Sequence, residues 1–359
     1  MPPSEPGWWY QPCITRTARA LAPCARLWGH VAERRWRRSV AFRASLPVIC
    51  VGNFTAGGTG KTPLAAEIAG MVSAAGKKPI ILSRGYGGRQ RGPHLVDPAR
   101  DRALAVGDEA LLLARRAPVM VSRDRAEGAR AIAALGDADH VVIMDDGLQN
   151  PSLMKDLVIA VVDGRRGLGN GLVMPAGPLR APLAFQLPLV DAIVVNTPES
   201  GAPRDSAMAD AMRAPFNRPV LLATTVPAAG VEWIGEQPIM AWAGIGAPRR
   251  LFDLLQAYGA TLVGCEAFAD HHVLRPAEAR RLLAAASQKR AQLVTTEKDW
   301  VRLNGSSGDL AALQAASRFV PIRLSFEPAD RQRLEALVAA ALSRSGVRQL
   351  NEHTSSPDQ

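Results

Sequence analysis

Thr55-Ala56-Gly57-Gly58-Thr59-Gly60-Lys61-Thr62 is a run whose residue types suit the capture of phosphate. Glycines let consecutive backbone N–H groups turn inward around phosphate oxygens, and a helix starting at the lysine adds its positive end. Lys61 would reach the β- and γ-phosphates of a nucleotide, and the Thr62 hydroxyl would hold Mg²⁺. The usual pattern has glycine where this chain has Thr55. A glycine-rich turn carrying a chance Gly-Lys-Thr is the plainer alternative. The surroundings speak against it. Val48-Ile49-Cys50-Val51 has the length and β-branched content of a buried strand, and a helical pattern follows from Pro63 to Ala75.

Asp145-Asp146 directly follows the apolar strand pattern of His140–Met144. A carboxylate at the end of a neighbouring strand can hold Mg²⁺, directly or through water, opposite Thr62. Taken alone, a strand ending in Asp more often marks a turn. Asp108, in Gly107-Asp108-Glu109, could accept a hydroxyl proton, but on its own residues it reads better as a helix N-cap. Asp270-His271-His272 lacks a convincing third metal ligand, so spacing alone gives it a structural or surface role. Arg123 and Arg125 are candidates to neutralise developing phosphoryl charge, although arginines at a helix start are often merely solvated.

These residues need elements to position them. The 359-residue chain, 47% hydrophobic and 21% charged, has enough apolar material for two domains or one large one. Four cysteines (Cys13, Cys24, Cys50, Cys265) form neither a disulfide framework nor a zinc pattern, which fits a reducing compartment. Strand patterns alternate with helical ones, the signature of a parallel sheet wrapped on both faces. The expected fold is therefore α/β: a P-loop NTPase-like, doubly wound and mainly parallel sheet, a second, smaller α/β lobe, and an N-terminal amphipathic helix. Glycines and prolines between 165 and 189 suggest a loop-rich crossing. The expected divisions are 1–45, a basic amphipathic N-terminal segment; 46–190, the nucleotide-binding domain; 191–325, the second lobe; 326–346, a C-terminal helix; and 347–359, a disordered tail.

The net charge of +10 is concentrated at the N-terminus, where residues 1–43 hold eight arginines against Glu5 and Glu33. The near balance elsewhere argues against a nucleic-acid groove on the main body, and no nucleic-acid partner is expected. Trp28, Ala32, Trp36 and Val40 recur every fourth residue among arginines, the pattern of an interfacial membrane helix. A helix packing its tryptophans on the body, an organelle transit peptide and a nucleic-acid arm remain as rival readings. No apolar run is long enough to span a bilayer.

Together the motifs resemble one family, the tetraacyldisaccharide 4'-kinases of lipid A biosynthesis. The residues that carry the resemblance are the loop 52–63, Ser83-Arg84-Gly85-Tyr86-Gly87, Gly107-Asp108-Glu109, Asp145-Asp146-Gly147-Leu148-Gln149, Met174-Pro175-Ala176-Gly177-Pro178-Leu179-Arg180, Asp270-His271-His272 and Thr296-Glu297-Lys298-Asp299, spread over about residues 8 to 340. Thr55 belongs to that family's form of the loop. The resemblance implies transfer of the ATP γ-phosphate to the 4'-hydroxyl of a tetraacylated glucosamine disaccharide 1-phosphate, with Mg²⁺, at the cytoplasmic face of a bacterial inner membrane. It makes Asp108 and His271, with Lys61, the catalytic residues. The residues' own reading, as above, gives nucleotide binding to 55–62 with Arg123, and metal binding to Thr62, Asp145 and Asp146. The resemblance also gives the basic, Trp-containing N-terminus a membrane-associating role.

Asn150 stands where the family commonly has His, which puts any proton-handling there in doubt. A membrane-associated ATPase switch without a small-molecule acceptor is the competing reading. Its signature lysine would fall at position 56, which here is Ala56. A GTPase would want [NT]-K-x-D after a late strand. Neither Asn196-Thr197-Pro198-Glu199 nor Thr296-Glu297-Lys298-Asp299 supplies it.

Overall fold

The computed structural model describes residues 5–11, 13–198, 204–270 and 272–354. Val48–Gly52 is a strand, β1, with every residue buried. Its near-continuous apolar sequence fits a strand covered on both faces. It lies parallel between β5 (His140–Asp145) and β6 (Leu157–Asp163), so that Val51 sits beside Asp145 on one side and Ile159 on the other. Beyond β5 come β2 (Lys78–Ser83), β4 (Val119–Val121) and the antiparallel edge β3 (His94–Leu95). Beyond β6 come β7 (Ala192–Pro198), β8 (Val220–Pro227) and the antiparallel edge β13 (Ile322–Phe326). The chain leaves β1 in one direction and returns in the other, creating a switch point at the carboxyl ends of the central strands, where α/β sheets bind ligands.

Helices α2 (Lys61–Ala74), α4 (Asp108–Ala114) and α12 (Pro328–Thr354) cover one face through Leu64, Ile68, Leu111, Leu334 and Val338. Single-turn α3 (Ala103–Val106) adds Val106 to this core. Helices α5 (Arg125–Ala133) and α7 (Arg204–Arg213) cover the other through Ala129, Ile132, Ala209 and Met212. Short α6 (Leu183–Gln186) lies beside them.

A second, parallel sheet has the order β10 (Leu262–Ala267), β9 (Ile239–Ala243), β11 (Gln292–Thr296), β12 (Ser317–Val320). It is flanked by α8 (Arg249–Ala257) on one face and by α9 (Pro276–Lys289) and α11 (Gly308–Ala316) on the other. Helix α10 (Glu297–Arg302) follows β11 and puts Val301 into the core of the first lobe.

The expected boundary at 190/191 is corrected by this topology. β7, β8 and β13 belong to the first sheet, so the second sheet runs only from Ile239 to Val320. Strands of the two sheets look alike in sequence. Which sheet a strand joins depends on its partner, not on its own residues. The expected end of the last helix is also corrected: α12 continues to Thr354. Arg348, Gln349, Leu350 and Glu352 are good helix formers, and no proline follows until Pro357. Residues 355–359 lie outside the described residues.

The N-terminal segment forms a 3₁₀ turn at Gly7–Tyr10 and then α1 (Arg16–Arg38), capped by Thr15, whose hydroxyl accepts from the Ala18 N–H. Ala18, Ala25 and Gly29 face the body; a Cβ on Gly29 would press on Pro182. Trp36 packs edge-on against Phe185, with Lys155 over its ring. Leu27, Trp28, Val31 and Val40 remain exposed. The helix thus both packs tryptophan on the body and presents apolar side chains outward among its arginines. Among the described residues no helix is long and apolar enough to cross a membrane.

Candidate active site

The phosphate loop bridges β1 and α2, with Gly57 and Gly60 at positive φ (94° and 101°). Any Cβ at Gly60 would strike the Asn196 amide. Asn196, at the end of β7, donates to the Thr59 carbonyl at 3.1 Å and is itself fixed by the Thr225 hydroxyl at 2.8 Å. The Asn196 run, which cannot read guanine, thus grips the loop instead. On the opposite side the Met174–Arg180 segment wraps the loop: Ala56 N–H donates to the Pro178 carbonyl at 2.8 Å, and Arg180 Nε donates to the Thr55 carbonyl at 3.0 Å. The Trp28 indole donates to the Arg180 carbonyl at 3.3 Å, which joins α1 to the same structure. Glu5 also reaches the loop; its carboxylate lies against Gly57 and pairs with Arg166 at 2.7 Å.

The acid pair ends β5, beside β1. Asp146 adopts a left-handed backbone (φ 51°), which turns its carboxylate toward the loop. There it lies 3.8 Å from Lys61 Nζ and 2.8 Å from an Arg180 nitrogen. Burial alone would raise its pKa, but Lys61 and Arg180 overcome this and hold it down at about 2. Asp145 behaves oppositely. Burial, then the nearby carboxylates of Glu109 and Asp146, push its pKa up to about 7. Its Oδ1 is buried without a hydrogen-bond partner, as are Asn53 Oδ1 and Thr59 Oγ1 on the loop. Buried polar atoms are seldom left unpaired. Three orphans around a glycine cradle fit a site shaped for a polar, charged ligand group, and Thr62, Asp145 and Asp146 are the residues that could hold a metal beside it. No cluster of three or more His, Cys, Asp or Glu side chains suited to a metal occurs among the described residues. That leaves two carboxylates and a hydroxyl, a set suited to Mg²⁺, which keeps several of its waters.

Asp108 is not the N-cap of α4. Gly107 holds that position, at φ 90°, with no side-chain cap bond. Asp108 is the first helical residue and is 6% exposed. Its carboxylate accepts from Arg302 Nε at 2.6 Å and lies 3.9 Å from Lys298 Nζ. The ammonium of Lys298 also pairs with Glu109 at 2.9 Å. Both cations come from α10 of the second lobe, so the two lobes meet at Gly107-Asp108-Glu109. Arg302 further bonds Asp299 at 2.5 Å and the Gly244 carbonyl at 2.6 Å. Substituting Arg302→Met would leave a buried carboxylate short of its guanidinium. The expected cost is about 3 kcal/mol of stability, seen as a lower thermal midpoint with reduced turnover.

The other expected residues divide. Arg125 is buried, donating to the Ser122 carbonyl at 2.8 Å and the Asp145 carbonyl at 3.1 Å; burial lowers its pKa to about 10. It props up the acid pair. Arg123 is exposed and donates to the Gly88 carbonyl at 3.3 Å, in the glycine-rich loop 83–88 that follows β2. His271 lies outside the described residues. Its neighbour His272 stacks on Phe268 and bonds Glu278 at 3.0 Å, which fixes that turn. Asn150 Oδ1 accepts from the Ser152 N–H at 2.9 Å and hydroxyl at 2.8 Å, so its side chain shapes the turn after the acid pair.

Sequence reasoning gave no role to Asn196, Arg180, Lys298 or Arg302. The last three lie within or just beside quoted motifs, the one available signal. The contacts of Arg180 with the Thr55 carbonyl and of Arg302 with Asp108 join residues 125 and 194 positions apart, which neighbouring residues do not reveal.

The family model for tetraacyldisaccharide-1-P 4'-kinase (LpxK) matches residues 17–343. The chain belongs to this family. A tetraacyldisaccharide 4'-kinase of Methylorubrum extorquens is 48% identical over 339 residues, covering 94% of this chain and 99% of that protein. One from Nitrobacter winogradskyi is 45% identical over 324 residues, covering 90% and 94%. Among solved structures, LpxK from Aquifex aeolicus in complex with ATP superposes with a TM-score of 0.69 at 22% identity, covering 91% of this chain and 99% of that one. That likeness supports the kinase family's fold for both lobes.

Proposed function

We propose that this family member transfers the γ-phosphate of ATP to the 4'-hydroxyl of a tetraacylated glucosamine disaccharide 1-phosphate, at the cytoplasmic face of a bacterial inner membrane. One observation carries the reading: a glycine phosphate loop, an acid pair with sharply different pKa values, and a buried Asp108 meet where the two lobes touch. Lys61 and the amides of residues 55–60 hold the β- and γ-phosphates, and exposed Arg123 can swing in from the rim. Thr62, Asp145 and Asp146 would hold Mg²⁺, which when bound neutralises charge on the phosphate oxygens. Arg180 keeps Asp146 ionised and ties its position to the loop. Asp108, oriented by Arg302 and Lys298, takes the proton from the sugar hydroxyl, with His271 as its expected partner. Lobe contact at Asp108 excludes water, which favours transfer over hydrolysis.

The test is transfer of labelled γ-phosphate from Mg·ATP to a tetraacyl-disaccharide 1-phosphate in detergent micelles, with Lys61→Ala as control. Label on the lipid, lost in the variant, is expected. ATP hydrolysis without label on the lipid would instead point to a nucleotide switch.

The outward face of α1 supplies the membrane surface. Leu27 is 66% and Val31 55% exposed, amid Arg34, Arg35, Arg37 and Arg38. Each apolar side chain buried in lipid is worth about 1.5–3 kcal/mol, and basic residues are drawn to anionic headgroups. The Leu27→Glu/Val31→Glu double variant is expected to weaken sedimentation with anionic vesicles at least about tenfold, with an unchanged thermal midpoint. Unchanged vesicle binding would remove α1 from the membrane contact.

A further inference from the structure

Helix α8 of the second lobe reaches the phosphate loop. In its first turn Arg250 donates to the Gly58 carbonyl at 3.3 Å and ion-pairs with the Asp163 carboxylate. Asp163 ends β6, beside β1, and is 3% exposed. Its Oδ1 accepts from the Arg165 backbone N–H at 3.0 Å, so the carboxylate is a fixed anchor. One turn further along α8, Asp253 pairs with Arg165 at 3.1 Å. Opposite charges at 250 and 253 meet opposite charges at 163 and 165. The inner of the two pairs sets Arg250 beside the loop.

The outer pair, with both partners nearly half exposed, is a surface contact of small energetic value. The inner pair differs, because one of its members touches the loop that binds phosphate. The Arg250 side chain is one-third exposed, so its stem can move while Asp163 stays in place. Lys61 and Arg180 are already shared with Asp146. Arg250 is a further cation at the loop, and its carboxylate partner is Asp163 rather than the acid pair.

We propose that Arg250 is carried by the second lobe to the transferring phosphoryl group, with Asp163 holding it in readiness. This rests on the kinase reading above. The bond from the acceptor oxygen to phosphorus forms as the bond to the ADP leaving group breaks. The hydroxyl proton passes to Asp108. A guanidinium suits this task, since its planar fork matches phosphate oxygens and it keeps its charge. Because α8 belongs to the second lobe, the cation arrives only when the lobes are together, which couples lobe contact to phosphoryl transfer.

The experiment compares Arg250→Ala, Arg250→Lys and Asp253→Ala in the full chain. Supplied arginines of this kind are worth about 10³–10⁵ in turnover. Arg250→Ala is expected to lower kcat at least about 100-fold with lipid KM within about fivefold. Arg250→Lys should recover only part of this loss, and Asp253→Ala should stay within about threefold of the parent. Equal losses in Arg250→Ala and Asp253→Ala would reduce the contact to a lobe latch and overturn the proposal. Nucleotide competition against a fluorescent ADP analogue gives a readout that needs no acceptor. Arg250→Ala should lose most of the preference for ATP over ADP. A parent chain that does not phosphorylate the lipid sinks the kinase reading; a retained ATP preference in Arg250→Ala sinks the role of Arg250.

Discussion

Asp108→Ala is expected to lower turnover about 1000-fold, the middle of the range for a positioned general base, while ATP affinity stays within a few-fold. The asymmetry follows from position. Asp108 contacts Arg302 and lies near Lys298 of the second lobe, and it is absent from the contacts that shape the loop at Thr55, Ala56 and Thr59. Removing it takes one carboxylate from Arg302, which keeps Asp299 and the Gly244 carbonyl, so some stability is lost too. Asp108→Asn, which preserves shape, separates the effects: it should keep the thermal midpoint near that of the parent yet lose comparable turnover. Steady-state kinetics with independent ATP titration decide the matter. A parallel fall in kcat and ATP affinity would make Asp108 a strut of the lobe contact.

Asp145→Asn is expected to make the nucleotide-free protein more stable and nearly inactive. The folded-state pKa of Asp145 is about 7 against an ordinary 3.8, so the folded state holds a proton that the unfolded chain has released. Stability from this group is complete below pH 3.8 and is lost as pH rises to about 7. At about 1.4 kcal/mol per unit, the full loss approaches roughly 4 kcal/mol above pH 7. Asparagine cannot ionise, but its amide is buried where Oδ1 already lacks a partner, which costs about 1–3 kcal/mol. The net gain is about 2 kcal/mol at pH 8, vanishing towards pH 5. Thermal melts across that range, paired with the transfer assay, give both readings. A midpoint that falls at pH 8, or a gain that ignores pH, would show that Asp145 is not the strained member of the pair.

Much of the chemistry was written in contiguous residues. The loop from Thr55 to Thr62, the acid pair after β5 and the glycine-rich loop 83–88 are local patterns, each set by what a few neighbouring side chains and φ angles allow. Hydrophobic periodicity is equally local, which is why the alternation of strands and helices could be read along the chain. The charge and aromatic content of α1 marked it as unusual, although whether its tryptophans pack inward or face outward was settled only by the shape of the 173–185 segment beneath it.

Folding decided the rest. Asp108 read as a cap because only its flanking residues were visible. The folded chain instead gives the cap to Gly107 and brings Arg302 from 194 positions away. Arg125 looked like a phosphate ligand until burial placed it under Asp145. The segments of β7, β8 and β13 fell inside the expected second lobe, 191–325, until pairing gave them to the first sheet. The order of residues alone settled which groups can hold phosphate and where strands and helices form, because both depend on neighbours within a turn or two. Which side chains share a buried space, and hence which carboxylate is strained and which cation arrives from the other lobe, depends on packing between distant segments, and only the folded chain holds that information.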